Sequence, residues 1–170
     1  MIHSQCSIPS VLKRTPTALL AGVLILALAA CGTPAADTTD SPTAQQVVTK
    51  LAQRIPTVTP GQVFTAETDP HHLLGRPGGY LSKASFFDNR IDPNTASASQ
   101  GGIQRGGSVE AFADEHSAQQ RMEHLQTLGP PFGEEYHYVS GPVLVRVANA
   151  LTPGQASEYA TALAEIVQGG

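Results

Sequence analysis

The chain has 170 residues, with 10 Lys+Arg against 14 Asp+Glu, a net charge of −4 at neutral pH, and no Trp. A length of this order suits one domain, and an acidic balance without a basic run argues against nucleic acid as a partner. Both cysteines, Cys6 and Cys31, fall near the N-terminus, so the rest of the chain has no thiol for disulfides, nucleophilic catalysis or thiolate metal sites.

Residues 1–30 read as an export signal. Lys13 and Arg14 precede thirteen uncharged residues over 18–30, short of the ~20 apolar residues that a spanning helix needs. The run ends in Leu28-Ala29-Ala30-Cys31. This tetrapeptide resembles the lipobox of bacterial lipoproteins. The resemblance implies a diacylglyceryl group on the Cys31 sulfur, cleavage before Cys31 and acylation of the new amine. An ordinary secretory signal with a chance cysteine, or an uncleaved helix, is the alternative. Cleavage removes Lys13 and Arg14 and leaves eight basic residues against 14 acids, a net charge of −6.

Residues 31–43 are rich in Thr, Pro, Ala and Asp, and such a composition predicts a flexible tether. From Ala44 the pattern changes. Val47, Val48, Leu51 and Ile55 recur at helical spacing before Pro56, which predicts a helix over 44–55. Residues 57–79 carry Pro- and Gly-containing turns and predict a long loop, with a short strand at 62–66. Strands are expected at 80–87 and 108–112, separated by a polar Gly/Ser-rich stretch. Asp114 is placed to cap a helix over 115–128, with Ala118, Met122 and Leu125 on one face.

The last third is patterned most clearly. Strands over 135–139 and 143–148 flank Ser140-Gly141-Pro142 as a hairpin, with Val143, Val145 and Val147 sharing a face. Thr152, Pro153 and Gln155 make a capping box with proline at the first helical position. The following helix, 153–167, is expected to bury Ala156, Tyr159, Ala160, Leu163, Ile166 and Val167. A helix followed by two ββα-like units gives an α+β domain over 44–170: a two-layer build, with an antiparallel sheet and helices on one face.

Chemistry-bearing patterns are sparse. His71-His72, with Glu67 and Asp69 upstream, is the only local cluster that resembles metal ligands, but it lacks a chelating spacing, and no metal or cofactor is expected. His116 and His124, eight apart on one helix, are ~12 Å apart in rise and cannot share an ion. There is no Gly-x-Ser-x-Gly elbow or Ser-x-x-Lys motif. Gly101-Gly102 and Gly106-Gly107 flank Arg105 without phosphate-loop spacing, and loop flexibility accounts for them better.

One loop carries residue types that are enriched at interfaces: Leu73, Leu74, Arg76 and Tyr80. The alternative is that Leu73 and Leu74 plug the open sheet face while Arg76 pairs with an acid. The stretch from Asp69 to about Leu163 resembles a group of small, mostly uncharacterised lipoproteins from actinomycetes. The matching residues are Leu73-Leu74-Gly75-Arg76-Pro77-Gly78, Tyr80, Ser82-Lys83, Ser85-Phe86, Arg105-Gly106-Gly107-Ser108, Tyr136-His137-Tyr138-Val139, Arg146-Val147 and Leu151-Thr152-Pro153. The resemblance implies an envelope location and brings no catalytic residues with it.

The expectation is a lipid-anchored, extracytoplasmic binding or protein-interaction module. It is held to the cell membrane through Cys31, with an envelope protein or a small ligand as partner. The alternative is a small envelope hydrolase or transferase using Glu67, Asp69 or His72 of the long loop.

Overall fold

Among the described residues, three capped helices and five strands follow in the expected order. The computed structural model describes residues 41–94, 103–130 and 134–169. The export signal, Cys31 and all but the end of the expected tether lie outside these residues.

Helix α1 (Ala44–Arg54) starts at Thr43, whose side chain accepts from the Gln46 N–H while the Gln46 side chain accepts from the Thr43 N–H. This reciprocal box satisfies two donors that the first turn leaves without partners. Thr43, the last residue of the expected tether, therefore belongs to the helix start. Ala44, Val47, Val48 and Leu51 form the buried stripe.

The strands are β1 (Val58–Val63), β2 (Ser82–Asp88), β3 (Gly106–Ala111), β4 (Tyr136–Ser140) and β5 (Val143–Val147). They form one antiparallel sheet in the order β1-β2-β3-β5-β4. Strand β1 falls earlier than the expected 62–66. Its register slips between Pro60 and Val63, and proline, which has no N–H to give, is tolerated on such an edge strand.

Strand β3 begins two residues earlier than expected, and the glycines are the reason. A Cβ on Gly107 would run into the Phe86 ring and the Arg146 carbonyl, and one on Gly106 into the Phe86 carbonyl. Close packing, and not loop flexibility, explains these two glycines.

The period of two sets the faces. Ala84, Phe86, Val109, Val143, Val145 and Val147 point to one side and join the apolar stripes of α1 and α3 (Pro153–Gln168) in the main core. Helix α3 begins at Thr152 with the expected capping box. It buries Ala156, Tyr159, Ala162, Leu163 and Ile166, with Ala162 taking the place expected for Ala160. Ala160 and Val167 are half-buried.

The class is α+β, two-layered around an antiparallel sheet, with α1 and α3 as the helical layer. The third helix, α2 (Glu115–Thr127), lies against the reverse face instead of beside the other two. It links β3 to the far edge strand β4 across β5 and rests Ala118 and Leu125 on Tyr80, Phe112 and Leu144.

Candidate functional site

The reverse face holds what the apolar core does not, a set of buried charges. Lys83 on β2 and Glu110 on β3 are register partners, and Arg146 stands on the neighbouring strand β5. All three are nearly inaccessible to solvent. Lys83 Nζ lies 3.9 Å from Glu110 Oε1, and Arg146 Nη1 lies 3.3 Å from the same oxygen. From α2, Arg121 Nε donates to Glu110 Oε2 at 3.0 Å. Arg146 also forks onto Glu135, with Nε to Oε2 at 2.9 Å and Nη2 to Oε1 at 3.0 Å. His137, opposite Arg146 on β4, places Nε2 3.4 Å from Glu135.

The long loop closes the set from above. Asp69 Oδ1 sits 3.2 Å from Lys83 Nζ and accepts from the Tyr80 hydroxyl at 2.6 Å. The same carboxylate accepts from the backbone N–H groups of Leu73 at 2.8 Å, Leu74 at 3.1 Å and His71 at 3.3 Å. One side chain thus folds the loop about itself and ties it to β2. Lys83 Nζ also stands 2.9 Å from His71 Nδ1 and 3.3 Å from the Tyr80 oxygen. It lies over the Phe64 and Tyr80 rings at 5.0 and 5.2 Å.

Three cations, Lys83, Arg121 and Arg146, face three carboxylates, Asp69, Glu110 and Glu135. Burial works against every one of these charges, and pairing offsets it. Burial opposes ionisation of Glu110, yet Arg146, Arg121 and Lys83 hold it below the usual carboxylate range. Burial likewise opposes ionisation of Asp69, but the Tyr80 and Leu73 hydrogen bonds and the Lys83 charge hold it well below that range. Burial pushes Lys83 down, with Glu110 and Asp69 pushing back. His71 is lowered by burial and by the Lys83 charge. Tyr80 is raised by burial and by its bond to Asp69.

The arrangement is a clamp. Its charges are spent on one another, and what it fixes is the loop and helix α2. The outer side of the loop is correspondingly preformed. Gly75 N–H bonds the Tyr80 carbonyl at 2.8 Å, and Gly79 N–H bonds that of Arg76 at 2.9 Å. His72, Gly75 and Gly78 all take positive φ, at 53°, 72° and 76°, the left-handed region that glycine enters freely. Glu67, His72 and Arg76 are exposed on it.

The residues singled out in the sequence therefore separate. Leu73 and Leu74 are half-buried and pack on the reverse-face apolar cluster, the plugging role weighed above. Tyr80 is fully buried and is no part of an exposed surface. Arg76 forms no ion pair among the described residues, contrary to the pairing that went with that role, and is left at the tip. Of the residues considered for hydrolysis, Asp69 is committed to the clamp, whereas Glu67 and His72 face outward without being drawn into it. His116 and His124 are exposed on α2. Among the described residues no group of His, Cys, Asp and Glu is gathered to hold a metal ion, and no helix is long and apolar enough to cross a membrane.

Lys83, Glu110, Arg121, Glu135, His137 and Arg146 were given no site role from the sequence, although Lys83, His137 and Arg146 stand among the matching residues of the resemblance. The available signal was Arg146, a lone charge within an otherwise apolar strand. A strand apolar on both faces is covered on both, so a charge inside it has to be paired.

A further buried carboxylate, Asp88, ends β2 on the helix-covered side. Arg90 forks onto it, with Nη2 at 2.7 Å from Oδ2, and the Tyr159 hydroxyl donates to the same oxygen at 2.6 Å. Arg90 continues to Glu158 at 2.9 Å. This pins α3 to the end of the sheet. Nearby, a groove of about 420 Å³ runs between the end of α1 and α3, and the partly exposed Arg54–Glu165 pair lines it.

Comparisons with protein-family models, with curated proteins and with solved structures find no match to this chain.

Proposed function

We propose that the protein is a lipid-anchored envelope module that binds a partner on the outer face of the cytoplasmic membrane. The loop over 64–80 is its recognition element. The observation that carries this reading is the division of the loop into two sides. The inner side is tied down by Asp69 and Tyr80, and the outer side presents Glu67, His72 and Arg76 on a backbone already folded. A preformed loop avoids the ordering entropy that a flexible one would lose on binding, and rigid scaffolds commonly carry recognition on such loops. Anchoring follows from the lipobox-like Leu28-Ala29-Ala30-Cys31 and the polar residues after it. One fatty chain holds marginally, whereas two or three hold essentially permanently.

The test is cross-linking in intact cells followed by mass spectrometry, comparing the natural chain with Cys31→Ala and with Arg76→Ala. The expected outcome is a reproducible envelope partner, lost on release of the anchor and weakened by Arg76→Ala without change in melting temperature. A capture pattern indifferent to Arg76 would remove the loop from the reading. A chain that stays at the membrane after Cys31→Ala would remove the lipid.

A further inference from the structure

We infer that the 64–80 loop is proton-gated: uptake of a proton at His71 Nδ1 sets a second cation against Lys83 and releases the loop from the sheet. The inference adds regulation to the recognition element proposed above and rests on that reading for its biological use, though its physical content does not.

The geometry is specific about the proton. Lys83 lies between Asp69 at 3.2 Å and Glu110 at 3.9 Å, so it is the ammonium and the donor. His71 Nδ1, 2.9 Å away, is therefore the acceptor and carries no proton while the loop is closed. The imidazole sits at the seam between loop and sheet and is only half-buried, so protons can reach it.

The groups around it decide whether protonation is tolerated. From β2 comes Lys83, from α2 Arg121 and from β5 Arg146, all cationic and all opposing a charged imidazole. From β3 comes Glu110, which favours it. That carboxylate already carries contacts from all three cations. Asp69 and Tyr80, on the loop itself, are bonded to each other and to Lys83.

The sign of the pH dependence follows. In the closed loop His71 titrates below its ordinary value of 6.5, and in the open loop it regains that value. Opening therefore takes up a proton, and the closed form loses ground as the pH falls below 6.5, until the closed-state value is reached. Asp69 and Glu110 are held below the carboxylate range and stay ionised across this interval. Tyr80 is raised and stays neutral. If Lys83 instead surrendered its proton to the imidazole, no net proton would be taken up and no pH dependence would appear.

The measurement is amide hydrogen exchange on the full chain without a partner, corrected for the intrinsic pH dependence of exchange. The reporters are Leu73 and Leu74, whose N–H groups are held by Asp69, with the Leu163 amide in α3 as internal control. Protection of the two reporters should fall as the pH drops below about 6.5, by up to about tenfold per pH unit for one linked proton, while the control holds. In His71→Asn, whose amide oxygen can accept from Lys83 without titrating, the fall should vanish.

Constant protection in the natural chain, or the same fall in His71→Asn, overturns the inference. Should His71→Asn itself leave the loop open, the natural chain's His71 ring is followed by NMR. Its titration has to track the loss of Leu73 and Leu74 protection, and a mismatch between the two curves is fatal. Because no partner is present, neither result bears on whether the loop recognises one.

Discussion

The two faces of the sheet are built to opposite rules. The face under α1 and α3 is filled by Val, Ala, Phe and Leu at close packing, where stabilisation scales with apolar area and depends little on the identity of the neighbour. The reverse face buries three cations and three carboxylates, whose net effect on stability is small beside the cost of losing any one partner. The first arrangement gives the domain its stability. The second fixes where one loop and one helix dock, because an ion pair is satisfied in few geometries and an apolar contact in many. This difference explains why the site candidates gather on the reverse face while the fold's signature lies on the other.

Breaking the charged face should produce the largest change. Glu110 is fully buried and serves Lys83, Arg121 and Arg146 together, so Glu110→Ala takes a partner from all three cations, leaves Arg121 without a carboxylate, and should cost about 3–5 kcal/mol, read as a lowered urea midpoint. On the helix-covered face, Leu163→Ala should cost about 2–5 kcal/mol through lost transfer energy and a cavity.

Acid separates these two losses. Asp69 and Glu110 have folded values depressed below their ordinary 3.8 and 4.5. Their contribution is full above those ordinary values and disappears as the pH falls below them. Melting temperature should therefore drop on acidification below about pH 5, with the same slope in Leu163→Ala and a shallower one in Glu110→Ala.

Asp69→Asn should cost less, about 1–3 kcal/mol, with a local signature: faster hydrogen exchange of the Leu73 and Leu74 amides at neutral pH, which Asp69 holds, and little change in the exchange of α3 amides. The smallest effect belongs to Thr152→Ala at the start of α3. It loses a cap worth about 1 kcal/mol and should leave the pH profile untouched. If Thr152→Ala changed the exchange of the Leu73 and Leu74 amides, the independence of the two faces would be wrong.

The apolar face was legible in the sequence because its signals are local. Val143, Val145 and Val147 alternate, the α1 and α3 stripes recur at helical spacing, and Thr152 with Gln155 marks a helix start within four residues. The charged face was not legible, because its meaning lies in registers between distant strands. Lys83 reads as an outward residue of a strand until the pairing sets it opposite Glu110, and Arg146 meets that same Glu110 from 36 positions away. Asp69 offers no local sign that its carboxylate will gather three backbone N–H groups and a tyrosine hydroxyl. Tyr80 looked like an interface aromatic for the same reason: its partner, eleven residues upstream, becomes visible only when the loop folds back.

Gly107 carries a consequence for descent. The Phe86 ring lies across it and stacks on Tyr159 at 5.2 Å, and the Tyr159 hydroxyl reaches Asp88, which Arg90 grips. Any side chain at that glycine would push the ring off and unseat the rest in turn. Descendants of this chain should accordingly inherit the pair as a unit, a glycine twenty-one positions after a flat aromatic, while the surface around it drifts. Distant kin would then be found by that spacing before overall similarity revealed them.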